Sequence, residues 1–176
     1  MKLDEYQQRA KETAIYRPDL ALHYLVPALL IELDELNNAI QEAGTSEHDN
    51  VLSEAGDVLW MLAQLATTLN HSLESIYTLL DYSPAIDQML RAAIALQASW
   101  VKCVRDYEGD FTSYLASPKS LIDAHTSQAL LSALLHGIEA IAVQKNSSLS
   151  LITQANIDKL ESRQRRGQLK GSGDHR

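Results

Sequence analysis

Only seven glycines and four prolines interrupt 176 residues, and no stretch alternates apolar with polar side chains in the way a half-buried strand requires. Leu and Ala dominate instead, residues that lose little on entering a helix. The chain therefore reads as all-α. The periodicity predicts helices over about residues 3–16, 20–43, 51–69, 72–80, 85–107, 119–124, 127–145 and 148–167. Pro27 is placed to kink the second helix and Ser46 to cap the third. Ser83-Pro84 and Ser117-Pro118 read as a cap followed by proline at the first helical position.

With 45% apolar residues, a chain of this length can bury a real core, and residues 1–167 read as a single domain. The glycine-rich basic segment 168–176 reads as a tail. No apolar run approaches 18 residues, and the start lacks the apolar core of a signal peptide, so a soluble, cytoplasmic protein without a membrane partner is expected. The lone Cys103 has no internal disulfide partner and reads as a small buried side chain. Charge is unevenly spread. Residues 159–176 hold six of the 15 basic residues against Glu161 and Asp174, a net of +4, which leaves −12 on the other 158 residues of a chain at −8. An acidic body of this kind argues against nucleic-acid binding, which needs a broad cationic surface.

The chemistry is carried by acids. Glu32 and Glu35 lie three apart in one helical stretch, and Glu54 and Asp57 three apart in the next. Residues at that spacing share a helix face. Both pairs are embedded in apolar sequence, and a stripe through Val51, Leu52, Ala55, Val58, Leu59, Leu62 and Leu65 leaves Glu54 and Asp57 at its edge. If the two helices pack together, four carboxylates converge. Two unit charges about 5 Å apart repel by roughly 3 kcal/mol at an effective dielectric of about 20, so such a cluster calls for protons or cations. Carboxylate-rich oxygen sites suit Mg²⁺ or Mn²⁺ rather than zinc or copper. The competing reading is a solvated helix face, where Glu at this spacing is common.

An internal echo is also visible. Val58–Ile76 and Leu134–Ile152 align without gaps at an offset of 76, each an apolar helix followed by a polar break and Ser-Leu-x-x-Ile. Leu130 and Ala133 stand where Glu54 and Asp57 stand in the first copy. The alternative is chance likeness between two Leu/Ala-rich helices.

Together, Glu32-x-x-Glu35, Glu54-x-x-Asp57 within Ser-Glu-Ala-Gly-Asp-Val-Leu-Trp, and Asn156-x-x-Lys159-Leu160-x-x-Arg163 resemble the MazG-like all-α nucleoside triphosphate pyrophosphohydrolases. Tyr6-Gln7 with Thr13-Ala14-x-Tyr16, and the ending from Arg166 to Arg176, resemble parts of some members. The likeness covers about residues 3–70 and 148–176. The middle, about 77–130, has no counterpart in a minimal member, and Ile31 stands where some members carry a third acid. The resemblance implies an antiparallel helical bundle, either a homodimer or an internally duplicated pseudo-dimer with a metal-binding half at 1–76 and a degenerate repeat plus the last core helix at 77–167.

It further implies Mg²⁺-dependent cleavage of nucleoside triphosphates to monophosphate and pyrophosphate, in nucleotide-pool housecleaning. Glu32, Glu35, Glu54 and Asp57 would be the metal ligands and catalytic acids, one glutamate also accepting a proton from water. Lys159 and Arg163 would hold phosphates, Asn156 phosphate or sugar, and Trp60 would stack on a base. For Lys159 and Arg163 the alternative is an exposed cationic helix end, and for Trp60 a core position. His23, His71, His125 and His136 lack metal spacing and read as surface or core residues. Two other classes stand beside this one: a non-catalytic helical nucleotide-binding or interaction protein, and a relative acting on phosphoribosyl-ATP. A ferritin-like di-iron site would need Glu-x-x-His twice, and no glutamate here has His three residues on.

Overall fold

The computed structural model describes residues 1–43, 50–79, 84–108 and 122–168, and among them the chain is all-helical, without a strand. The elements are α1 (Leu3–Glu12), a 3-10 turn (Pro18–Leu20), α2 (Ala21–Glu42), α3 (Val51–Leu69), α4 (Leu73–Tyr77), α5 (Ile86–Asp106), α6 (Ala124–Gln144) and α7 (Leu149–Arg165). α2 packs on α3, α3 on α6, α6 on α5 and α5 back on α2, which closes a ring of four helices. α1 and α7 touch each other and cover the outer side of α3. The sequence of α3 shows why it takes the enclosed position. Thirteen of its 19 residues are buried, including the unbroken run from Met61 to Ala66, which touches every face of the helix. A helix apolar all round belongs inside.

Several boundaries differ from those expected. α1 stops at Glu12, not near residue 16, because the Thr13 hydroxyl bonds back to the Ala10 carbonyl (2.8 Å) and the chain turns to place Tyr16 against Gln64 (2.9 Å). Pro27 is carried inside α2 without ending it. α5 opens at Ile86 with Ala85 as its cap, so Pro84 is outside the helix; the Gln88 side chain accepts from the Ala85 amide at 2.9 Å. α6 opens three residues earlier than expected because the Asp123 carboxylate caps it, accepting from the Thr126 amide at 2.7 Å. Ser46, Ser83, Ser117-Pro118 and the tail from residue 169 lie outside the described residues.

The two segments related by the offset of 76 adopt the same turn between helices. α3 ends on Asn70 (φ 64°) and α6 is followed by Asn146 (φ 53°), both left-handed, a conformation Asn accepts more readily than most side chains. His71 N–H reaches the Ala66 carbonyl and Ser147 N–H the Ala142 carbonyl, each at 2.8 Å. Ser72 then caps α4 through the Ser75 amide, and Ser148 caps α7 through the Leu151 amide. The packing is exchanged as well: α4, which follows α3, packs on α6, and α7, which follows α6, packs on α3.

By length and composition α6 could cross a membrane, but 56% of its most apolar window is buried within the bundle. Met89 of α5 fills the space over Gly137, where an added Cβ would lie 2.3 Å from the sulfur. Cys103 is half-buried, not fully buried as expected, and burial raises its thiol pKa. His23 stacks edge-on against Trp100 (5.0 Å), His71 meets the Ser127 hydroxyl (2.9 Å) and His136 meets the Tyr77 carbonyl (2.9 Å).

Candidate metal centre

Packing α2 along α3 sets Glu32 opposite the first turns of α3. One carboxylate oxygen from each of Glu32, Glu54 and Asp57 then lies within 4.8 Å of the other two. Glu54 is buried, and Glu32 and Asp57 are half-buried. Burial at this point is imposed by their neighbours: Leu29, Leu33 and Leu36 on α2 and Val51, Ala55 and Val58 on α3 are all in the core. Glu35, expected as a fourth ligand, is exposed and outside this group. Three residues along a helix fall about 60° short of a full turn. Glu32 therefore looks across to α3 while Glu35 points past its edge. Its charge still bears on Glu32.

The crowding shows in Glu32. Burial, and then the charges of Asp57, Glu35 and Glu54, push its carboxyl up from 4.5 to about 7, against a smaller opposing pull from Lys159. No hydrogen bond contributes to that balance. Three buried or half-buried acids, one of them only about half ionised near pH 7, are a site short of positive charge.

Asp57 is supplied from α7. The Lys159 ammonium donates to Oδ2 at 2.6 Å and to the Ser53 hydroxyl at 3.2 Å, and the Asn156 amide donates to Oδ1 at 3.1 Å. Asn156 in turn accepts at Oδ1 from the Tyr6 hydroxyl of α1 at 2.8 Å. Tyr6 is fully buried, and burial together with the Asp57 charge raises its phenol pKa, so it keeps its proton and donates. Gly56 makes the approach of Asn156 workable, since a Cβ there would sit 3.2 Å from both Cβ and Nδ2 of Asn156. On the other side, the Asn50 side chain donates to Glu54 at 3.0 Å.

These residues fit a divalent cation. All three acids offer oxygen only, as Mg²⁺ and Mn²⁺ prefer. Oxygens sharing one octahedral Mg²⁺ at about 2.1 Å stand about 3.0 Å apart when adjacent and about 4.2 Å when opposite, so the group, all within 4.8 Å, would draw in on an ion by side-chain movement.

Beside the acids, between α3, α7 and the turn before α7, lies a pocket of about 350 Å³. Leu52, Gly56, Leu151, Ile152 and Ala155 give it apolar walls, while Asn156 and Lys159 belong both to the pocket and to the acidic centre. Leu151, 62% exposed, has its reason here: it is a wall of the opening.

The remaining candidates divide. Arg163 follows Lys159 by one turn of α7 and is 6% exposed, and the Lys159 side chain is 22% exposed, so neither is a solvated helix end. Trp60 is half-buried, donates its indole N–H to the Thr13 hydroxyl at 2.9 Å, meets Tyr16 edge-on at 6.3 Å and does not line the pocket. Tyr6, Ser53 and Gly56 belong to the site, although spacing gave them no role. Tyr6 and Asn156 are 150 residues apart, a separation at which no periodicity links them. Comparison of the chain with protein-family models, curated proteins and solved structures returns no match.

Proposed function

We propose that the chain is a pyrophosphohydrolase of the MazG-like kind, cleaving a nucleoside triphosphate between its α and β phosphates to give a monophosphate and pyrophosphate. The observation that carries this reading is the meeting of Glu32, Glu54 and Asp57 from two helices beside the Lys159 ammonium. Glu32, Glu54 and Asp57 would hold Mg²⁺, or Mn²⁺, with Glu35 available from the rim. The ion supplies charge compensation for phosphate oxygens and acidifies water. Lys159 offers a second positive charge at the boundary between the acids and the pocket, where a phosphate chain must pass. Asn156 offers an amide at the same boundary. The pocket takes the nucleoside, its apolar walls matching a base and sugar and its Lys159 end matching the anion. One glutamate of the group would also take the proton from the attacking water.

The matched turns at Asn70 and Asn146 and the exchanged packing of α4 and α7 favour an internal duplication, in which one chain supplies the bundle that a homodimer would otherwise build. The acidic body and the burial of α6 support a soluble, cytoplasmic protein.

The test is a panel of ribo- and deoxyribonucleoside triphosphates with Mg²⁺, Mn²⁺ or EDTA, with monophosphate, pyrophosphate and orthophosphate quantified separately. Metal-dependent pyrophosphate release is expected, lost in Glu54→Gln and Asp57→Asn. Orthophosphate release would move the reaction to another bond. Nucleotide binding without turnover would make this a binding protein.

A further inference from the structure

We propose that Tyr6 is a positioning residue for the acidic centre, acting through Asn156 to fix the direction in which Asp57 presents its carboxylate. The inference rests on the reading that Glu32, Glu54 and Asp57 hold a divalent cation. Three helices meet in one line of hydrogen bonds: Tyr6 on α1 donates to Asn156 Oδ1 (2.8 Å), and Asn156 on α7 donates through Nδ2 to Asp57 Oδ1 on α3 (3.1 Å). An ionised carboxylate only accepts, so Asp57 requires the NH₂ end of the amide. That leaves Oδ1 of a residue only 3% exposed facing α1, where the one hydroxyl that meets it comes from a tyrosine with no exposure at all.

Without that hydroxyl the amide oxygen is buried and unpaired, and the amide is free to rotate away from Asp57 in search of a donor. Lys159 still holds Asp57, by its other oxygen. The line is stiff because its neighbours are fixed. Gly56 lets Asn156 lie directly on α3, and α1 is tied to α7 by the Arg9–Glu161 ion pair. Partners of this kind, behind metal-binding carboxylates, typically alter metal affinity about 10–100-fold when removed.

The experiment measures Mn²⁺ binding to the full chain without nucleotide, by calorimetry or by paramagnetic resonance of the free ion. Tyr6→Phe keeps the ring and removes only the oxygen, and it is expected to weaken Mn²⁺ at least tenfold. Asn156→Leu is expected to do the same, and the double variant to be no worse than the weaker-binding single, because both remove one line of action. Gln7→Ala is the control: Gln7 is the next residue of α1 but bonds to His71 and Leu73, away from the acids. It should lower the melting temperature and leave Mn²⁺ affinity unchanged. Wild-type affinity in Tyr6→Phe, or losses that simply add in the double variant, would overturn the proposal. No Mn²⁺ binding by the unmodified chain would instead overturn the metal reading on which it rests.

Discussion

Replacing Glu32 by Gln should stabilise the metal-free protein above neutral pH while removing its metal affinity. The folded state holds this carboxyl at about 7, against 4.5 for an unburied glutamate. Below about pH 4.5 both folded and unfolded chains carry the proton, and the group costs nothing. Between 4.5 and about 7 the unfolded chain releases the proton while the folded chain keeps it, so stability falls as pH rises. Above about 7 the full penalty is present. The interval corresponds to about 3.4 kcal/mol at about 1.36 kcal/mol per pH unit. The side chain is partly open to water, so screening brings the expected figure to about 1–2 kcal/mol.

Gln carries no charge at any pH, so Glu32→Gln should match the wild type near pH 4.5 and exceed it by that amount at pH 8. For a chain of this length the gain is roughly 2–8 °C in melting temperature. The assay is urea or thermal unfolding in EDTA at the two pH values. Adding Mg²⁺ should reverse the order. At 100 times its dissociation constant a ligand stabilises by about 2.7 kcal/mol, and only the wild type should gain it. A Glu32→Gln variant equal to or less stable than the wild type at pH 8 would refute the claim that burial and the neighbouring acids make the Glu32 charge costly.

Other substitutions separate packing from chemistry. Gly56→Ala sets a Cβ 3.2 Å from Asn156 and should push the amide off Asp57, lowering turnover well before it lowers the melting temperature. Gly137→Ala meets Met89 at 2.3 Å and should destabilise by about 1–3 kcal/mol without touching metal affinity, as read by denaturant unfolding and Mn²⁺ titration. Ser132 is fully buried and its hydroxyl meets no hydrogen-bond partner among the described residues, so Ser132→Ala should stabilise by about 1 kcal/mol in the same unfolding assay.

The helices were legible because each carries a 3.6-residue apolar period, and seven elements stand close to where that period puts them. The misplaced boundaries share one cause. Ends such as those at Thr13 and Asp123 are decided by single hydrogen bonds and by where the chain must go next, which periodicity does not encode. The acidic pairs were legible as pairs, and the burial of Leu33 and Val58 beside them follows from the same stripes. That Glu32 joins the α3 pair while Glu35 does not depends on the rotation of α2 about its axis, which the packing of the whole ring sets. Tyr6 stayed silent for a different reason: a tyrosine in an amphipathic helix is ordinary until a partner 150 residues away gives its hydroxyl a task.

In the proposed duplication, the asymmetry between the two halves has a mechanical explanation in the lengths of α4 and α7. Each follows the same turn and crosses to the neighbouring half's apolar helix, but α7 has 17 residues and α4 only five. At 1.5 Å per residue these span about 25 Å and about 7 Å. Asn156 and Lys159 stand eight and eleven residues beyond the Ser148 cap, so only the long helix carries an amide and an ammonium far enough to reach acids on its partner. The corresponding distance from Ser72 passes beyond the end of α4 at Tyr77. Among the described residues, acids at positions 130 and 133 of α6 would therefore face no such donor carried by α4. Leu130 and Ala133 occupy those positions, both packed against the core. That the proposed centre on α2 and α3 has no counterpart among the described residues follows from the reach of one helix.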